Sequence, residues 1–184
     1  MEILAVYSGD WPDHPAEREA LLYIARTLDQ LEEWFIPFVR LQIPGDGRPD
    51  LIVFKKSGIF IVELKHCEAP VFGGINGPWL LKEADGTVIR QLNEERERNP
   101  YQQVIWYWYS VRDFLAQNAH RWLPREKRNL RPDLRSVLVI CPDIFPNSRV
   151  ETDWKVPCLG LPSLPEFLWS KGNENFALDP NEVK

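Results

Sequence analysis

The sequence lacks the features that define several common protein classes. Its longest apolar runs, such as residues 58–64, fall far short of the roughly 18 residues that cross a membrane, and the N-terminus has no basic-then-apolar signal pattern. It also has no internal repeat, no low-complexity tract and no long glycine- or serine-rich linker. We therefore expect a soluble, cytoplasmic protein with one continuous domain and no membrane partner.

Cysteine is scarce, and the signature motifs of several enzyme classes are missing. Cys67, Cys141 and Cys158 are an odd number without C-x-x-C spacing, which favours a reducing compartment over a disulfide framework. The three histidines do not stand at zinc-ligand spacing, and no G-x-S-x-G, P-loop or G-x-G-x-x-G motif occurs. The sequence therefore gives no support to a zinc, serine-hydrolase or dinucleotide-binding protein.

Acidic side chains only slightly outnumber basic ones. The 184 residues include 27 acidic and 22 basic side chains, which gives a formal net charge of −5, and 44% of the residues are hydrophobic. This length can bury one core without disulfides or a structural metal. Because bulk acidity does not favour nucleic-acid binding, any such activity would depend on local clusters of charge.

The order of the predicted elements indicates an α/β sandwich with mixed strand pairing. Residues 66–98 are interpreted as an irregular insertion with short β-like pieces. The periodicities predict a helix over 15–33, strands over 34–43, 51–55 and 59–65, a helix over 100–119, a strand over 136–141 and a last short strand over 156–159.

Asp50, Glu63 and Lys65 form the most informative pattern. Glu63 and Lys65 are two residues apart on a strand and therefore share a face. A two-residue hairpin turn at 56 and 57 puts Asp50 opposite Glu63, and a turn at 57 and 58 puts it opposite Lys65, on the same face in either case. Two carboxylates about 5 Å apart repel unless a cation such as Mg²⁺ lies between them. The alternative is an ordinary ion pair at the strand ends.

Each predicted helix adds polar side chains to consider. Glu17 lies on the apolar stripe of the first helix, where it needs a partner, although a first-turn acidic residue also interacts favourably with the helix dipole. Gln103 and Tyr107 are one turn apart on the second helix. Taken alone, that pair is more simply a core tyrosine beside an incidental glutamine.

The motifs gain meaning from their order along the chain. The sequence resembles the NERD domain, a nuclease-related family of the PD-(D/E)XK superfamily, from about residue 13 to 160. This resemblance implies a restriction-endonuclease-like core, with a mixed sheet flanked by helices in the order α-β-β-β-α-β, and Mg²⁺-dependent phosphodiester hydrolysis. The motifs that carry it are Ala16-Glu17, Pro49-Asp50, GIFIVELK at 58–65, Trp79 after a glycine-rich stretch, NPYQQ at 99–103 and SVLVIC at 136–141.

The resemblance implies roles for individual residues. Asp50 and Glu63 would hold the metal together with the carbonyl of Leu64, and Glu17 would complete the acidic cluster. Lys65 would orient the attacking water. Mg²⁺ is the implied cofactor, with Mn²⁺ as an alternative.

Two further residues and two departures belong to the same comparison. Gln103 and Tyr107 match the Q-x-x-x-Y pattern of several superfamily nucleases, which is thought to support the lysine or contact the nucleic-acid strand. Many family members have Gly before the helical Glu and Val within E-V-K, where Ala16 and Leu64 stand here. Neither change removes a ligand.

A basic cluster follows the second predicted helix. Residues 121–135 contain six basic and two acidic side chains, a net charge of +4. Arg121, Arg125, Lys127 and Arg128 are candidate DNA contacts within it, and a solvated loop is the alternative interpretation.

We expect a metal-dependent nuclease acting on single-stranded or duplex DNA. The alternative is a catalytically inactive nucleic-acid- or protein-binding module that keeps the fold.

The domain is expected to span residues 1–165, with 166–184 as a C-terminal extension. Residues 179–182 carry the cap, first-turn proline and acidic third position of a helix start, two residues before the sequence stops. We therefore expect the chain to be a segment of a longer DNA-processing, repair or defence protein. Fusions in the family imply a helicase or another module as the fused or associated partner.

Overall fold

A computed structural model describes residues 6–7, 12, 14–30, 34–45, 47–93, 98–122 and 133–170. Among the described helices, none is long and apolar enough to cross a membrane. The elements are β1 (Val6–Tyr7), α1 (Pro15–Asp29), β2 (Phe35–Val39), β3 (Leu51–Lys55), β4 (Gly58–His66), β5 (Val71–Gly73), β6 (Trp79–Lys82), β7 (Val88–Leu92), α2 (Pro100–Trp122), β8 (Leu134–Cys141), β9 (Arg149–Val150), β10 (Cys158–Gly160), a 3₁₀ turn (Leu161–Ser163) and α3 (Leu164–Trp169).

The main sheet is mixed and lies between helices. Its six strands follow the order β1-β2-β3-β4-β8-β10, with β2, β3 and β4 antiparallel and β8 parallel to β4. The face formed by Phe60 and Val62 packs with the apolar stripe of α1, and the face formed by Ile59 and Ile61 packs with α2. The predicted α/β fold with a restriction-endonuclease-like core is confirmed.

Each of the two long helices begins at the predicted residue, Pro15 or Pro100. His14 precedes α1 and accepts a hydrogen bond from the backbone N–H of Ala16, with Pro15 in the first turn. Asn99 caps α2, because its Oδ1 accepts the N–H of Gln102 at 2.8 Å. Helix α1 ends at Asp29, earlier than predicted, whereas α2 continues to residue 122.

The short β-like pieces predicted within residues 66–98 are confirmed as strands β5, β6 and β7, but the prediction that they form an irregular insertion is wrong. These residues supply three strands of a second, four-stranded sheet in the order β7-β6-β5-β9. Its centre is Trp79, whose side chain is fully buried and donates a hydrogen bond from Nε1 to the carbonyl of Gly74 at 2.8 Å. Strand β9 pairs in parallel with β5 from far along the chain, and a contact between such distant residues leaves no local sequence pattern.

Several predicted boundaries also change. The strand predicted over 34–43 stops at Val39 because Arg40 has a left-handed backbone conformation, with φ of 51°. Strand β8 begins two residues earlier than predicted, and the last strand lies at 158–160 rather than 156–159. Strands β1 and β9 and helix α3 were not predicted.

Lys55 ties α3 to the main sheet. Its side chain is buried, and Nζ donates hydrogen bonds to the carbonyls of Leu168 at 2.9 Å and Ser170 at 3.4 Å. These carbonyls lie at the C-terminal end of α3, where a cation interacts favourably with the helix dipole. A buried lysine in a strand therefore caps a helix more than a hundred residues away in sequence.

Candidate active site

The β3-β4 hairpin brings Asp50 and Glu63 together. Lys55 pairs with Gly58 and Leu51 pairs with Val62, which is the register of the two-residue turn at 56 and 57. Continuing this register puts Asp50 next to Glu63. The Asp50 carboxylate also accepts the backbone N–H of Leu64 at 2.7 Å, which fixes it against β4.

A cavity of about 430 Å³ brings together all the predicted metal ligands and Lys65. It lies at the N-terminal end of β3, next to the first turn of α1. It therefore unites side chains from a helix, a loop and a strand that are separated in sequence. We call it the acidic cavity, and the carboxylates and Lys65 within it the acidic cluster. Its described lining consists of His14, Glu17, Arg40, Arg48, Asp50, Glu63, Leu64 and Lys65.

Glu63 has a buried acceptor that the described residues do not satisfy. The residue is 3% exposed, and its Oε1 accepts a hydrogen bond from Lys65 Nζ at 2.7 Å. Its Oε2 is buried and has no hydrogen-bond partner among the described residues. Such an oxygen is costly in an apolar surrounding and fits a ligand to a hard cation.

The surroundings of Asp50 also disfavour an ionised carboxylate. Burial raises its pKa well above the ordinary value, and the neighbouring Glu63 carboxylate raises it further. The ammonium of Lys65 and the N–H of Leu64 act in the opposite direction without cancelling these effects. A divalent cation between the two carboxylates would favour the ionised form of Asp50.

Leu64 adds a backbone oxygen on the same side. The N–H and C=O of one residue in an antiparallel strand point to the same neighbour. Since the N–H of Leu64 points to Asp50, its carbonyl also faces the end of β3, where Leu64 lines the cavity. Within the described ranges, no three His, Cys, Asp or Glu side chains form a metal cluster by themselves. A metal here would therefore combine carboxylates with this carbonyl.

Gln103 and Tyr107 lie behind the cavity and do not line it. Gln103 is buried, donates from Nε2 to the Tyr107 hydroxyl, and accepts a hydrogen bond from Asn93 Nδ2 at 2.6 Å. The Tyr107 hydroxyl donates to the carbonyl of Arg48 at 3.4 Å. The pair thus contacts the segment that leads into Asp50. Further along α2, Leu115 is buried and Phe114 is half exposed.

The predicted DNA contacts are only partly covered by the structure. Arg121 lies exposed in the last turn of α2 and is not among the residues lining the acidic cavity. Arg125, Lys127 and Arg128 lie outside the described residues.

Three cavity residues were missed from the sequence. His14 accepts the Ala16 N–H through Nδ1 at 3.3 Å, so Nε2 carries the proton in the neutral ring. Arg40 donates its backbone N–H to the carbonyl of Asp50 at 3.1 Å. Arg48 stands two residues before Asp50, just as Glu63 stands two residues before Lys65. This spacing was the sequence signal that could have placed Arg48 in the cavity. Among the described residues, the cavity thus combines three cationic side chains with three carboxylates: Arg40, Arg48 and Lys65 with Glu17, Asp50 and Glu63.

A mixed sheet between helices, with a carboxylate and lysine cluster at the end of a β-hairpin, defines a restriction-endonuclease-like, nuclease-related domain. The family model of the nuclease-related domain, NERD, matches residues 13–141, and the chain belongs to this family. The matched residues include Glu17, Asp50, Glu63 and Lys65. Comparisons with curated proteins and with solved structures found no match.

Proposed function

We propose that this domain is a divalent-metal-dependent nuclease that hydrolyses DNA phosphodiester bonds, with Mg²⁺ as its metal and Mn²⁺ as a substitute. The observation that carries the proposal is the buried Oε2 of Glu63, which has no hydrogen-bond partner among the described residues and lies beside Asp50, whose pKa is raised by burial and by Glu63. A cation bound to both residues would satisfy the oxygen and stabilise both charges.

The residues present fit such a metal. Asp50, Glu63 and the Leu64 carbonyl would hold it, and Glu17 would complete the acidic set from α1. These are the hard oxygen ligands that Mg²⁺ prefers. When bound, the cation would polarise a phosphate oxygen and make a water more nucleophilic.

Lys65 is the residue we assign to the attacking water. Its ammonium lies in the cavity and is fixed by Glu63 at 2.7 Å, so its N–H groups have a defined position. There it would hold the water oxygen and offset the negative charge that develops on the phosphoryl group. Because Glu63 would bind both Lys65 and the metal, it would set the distance between the water and the phosphate.

Arg40, Arg48 and His14 are proposed to bind the phosphates of the DNA strand. Arginine recognises phosphate through charge-assisted hydrogen bonds, and the proton on His14 Nε2 offers a further donor. The Gln103 and Tyr107 pair would position Arg48 through its carbonyl. They are positioning residues in this proposal, since they do not line the cavity.

The test is a cleavage assay with single-stranded and duplex DNA in Mg²⁺, Mn²⁺ or EDTA. We expect metal-dependent cleavage that falls by roughly 10²-fold or more in Glu63→Gln and in Lys65→Ala. Glu68→Gln and Lys56→Ala are matched controls, because both residues are exposed and neither lines the cavity. Absence of metal-dependent cleavage on every substrate, or equal cleavage by the Lys65→Ala variant, would falsify the assignment. Absence of all cleavage with retained DNA binding would favour the inactive binding module.

Metal binding has a separate readout without substrate. At a Mg²⁺ concentration of about 100 times the Kd, the wild-type protein gains roughly 2.7 kcal/mol, which raises Tm by about 5–10 °C for a domain of this size. Glu63→Gln should abolish this shift, whereas Glu68→Gln should retain it. An equal shift in both variants would place the metal elsewhere.

The wider setting is also a proposal. The expected activity suits a larger DNA-processing, repair or defence protein in the cytoplasm, with a helicase or another module fused or associated. Co-purification of the full-length gene product with its partners tests this setting, and a protein that acts alone on DNA would contradict it.

A further inference from the structure

A second cavity lies away from the acidic cluster. It has a volume of about 470 Å³ and lies between α2, the start of β8 and the loop before β10. Ser136 lines it and pairs with Ile61 on β4, whereas the acidic cluster begins at Glu63 and extends to Lys65. Along β4, Ile61 is thus two residues, or roughly 7 Å, from Glu63 and four residues, or roughly 13 Å, from Lys65.

Aromatic rings form much of its surface. Trp108 and Tyr109 on α2 are neighbours with an edge-to-face geometry, 5.1 Å between centroids and 85° between planes. Trp154, in the loop opposite, is 85% exposed. Core packing, the usual explanation for tryptophan, does not account for this residue.

The loop that carries Trp154 is firmly anchored. Asp153 accepts the backbone N–H groups of Lys155 at 3.0 Å and Val156 at 3.3 Å, and also the hydroxyl of Tyr101 at 3.0 Å. Ser136 donates its hydroxyl to the carbonyl of Lys155 at 2.8 Å. The exposed indole is therefore attached to an ordered backbone, which lowers the entropy lost when a ligand binds to it.

Cationic side chains surround the rings. The Arg112 guanidinium lies over Tyr109 at 4.6 Å from the ring centroid, and Lys155 Nζ lies 5.9 Å from the centroid of Trp154. Arg135 is the third cation in the described lining. It binds Asp133, which also lines the cavity, through Nε and Nη2 at 2.9 Å. Among the described residues that line the cavity, three cations stand beside one carboxylate, and Arg112 is also paired with Asp113, outside the lining, at 2.6 Å. Lys155, next to the exposed Trp154, is therefore the cation that we assign to a phosphate.

We propose that this aromatic and basic cavity binds a nucleobase together with its phosphate, from a single-stranded nucleic acid. Flat aromatic faces beside cations are the features that recognise unpaired bases on a charged backbone. A duplex hides the base faces, so single strands should be preferred. The inference does not rest on the proposed cleavage chemistry, because it concerns other residues and needs no metal.

The experiment measures binding of a fluorescein-labelled oligothymidylate by fluorescence anisotropy in EDTA, with Glu63→Gln protein so that no cleavage interferes. Trp154→Ala should weaken binding by roughly 5- to 100-fold, the range expected for one lost stacking partner. Lys155→Ala should reduce the slope of log affinity against log salt concentration by about 0.7, as for one lost phosphate contact on a single strand. Trp154→Ala should leave that slope unchanged.

A matched control and a second ligand make the result decisive. Tyr23→Ala removes another exposed aromatic residue, on α1 and 39% exposed against 85% for Trp154, and should leave binding unchanged. Thymidine monophosphate, titrated in parallel, distinguishes a free nucleotide from a strand as the source of the ligand. Trp154-dependent binding of either ligand supports the site and identifies that source. If neither ligand depends on Trp154, or if Tyr23→Ala has an equal effect, the proposal is overturned, whatever the cleavage assay finds.

Discussion

Asn99 joins the start of α2 to the loop before β6, and its replacement should weaken both. Its Oδ1 accepts the N–H of Gln102 at 2.8 Å, while its Nδ2 donates to the carbonyls of Gly77 at 2.8 Å and Ile75 at 3.2 Å. The residue is buried, so water does not readily replace it. One side chain therefore serves as the helix cap and as the support of a neighbouring turn.

The cost of Asn99→Ala can be estimated from these contacts. Loss of an N-cap costs about 1 kcal/mol. Loss of the two carbonyl partners adds about 1 kcal/mol, at the low end of the usual range because Gly77 and Ile75 are exposed to water. We expect unfolding by urea, followed by tryptophan fluorescence, to give a loss of about 2 kcal/mol.

Asn99→Ser separates the two contributions. Serine retains a capping oxygen but lacks the amide donors, so the expected loss is only about 1 kcal/mol. Hydrogen exchange should then increase in residues 74–77 while the first turn of α2 stays protected. Equal destabilisation by serine and alanine, or a loss below about 0.5 kcal/mol for alanine, would refute this account of the NPYQQ motif.

Three further predictions concern other buried groups. Lys55→Met keeps the side-chain volume but removes the donor that lies 2.9 Å from the Leu168 carbonyl, so the free energy of unfolding in urea should fall by about 1–3 kcal/mol. Unchanged stability would contradict the role of Lys55 as the cap of α3. Gly73→Ala should cost about 1–3 kcal/mol because the new Cβ would overlap the indole of Trp79. Gly74→Ala, whose Cβ would have ordinary contacts from 3.6 Å, should be far milder, and equal losses of stability would refute this packing. Burial raises the pKa of Cys67 to about 11 and of Cys141 and Cys158 to about 12, so thiol reagents at pH 8 should react at least ~100-fold more slowly than with unfolded protein. Because the unfolded thiols ionise first, stability should also fall as the pH rises from about 9 towards 11, and a rapidly reacting native thiol would contradict both expectations.

The hairpin was predictable because local rules determine it. A strand has a side-chain period of two, and the two-residue turn after Lys55 fixes the pairing of Asp50 with Glu63. The start of α2 at Pro100, directly after its cap Asn99, was likewise predicted from the local sequence. Where such short-range geometry decides the structure, the sequence contains enough information to place a side chain.

Contacts between distant segments could not be predicted in this way. Strand β9 consists of only Arg149 and Val150, and it becomes a strand because β5 offers it an edge. Lys55 reads as an ordinary polar strand residue, yet it is buried because α3 folds over it and supplies carbonyl partners. Arg40 lines the cavity and has a left-handed backbone conformation. Arginine rarely adopts this conformation, so the sequence does not predict it.

The charge of the chain illustrates why the site has to be read locally. A net charge of −5 describes the molecule at long range, but the acidic cavity contains three carboxylates and three cations. A divalent cation bound there would leave the cavity with a net charge of about +2, which suits the anionic backbone of DNA. The carboxylates would then bind the metal rather than repel the substrate, so an acidic composition and a nucleic-acid substrate are compatible in one domain.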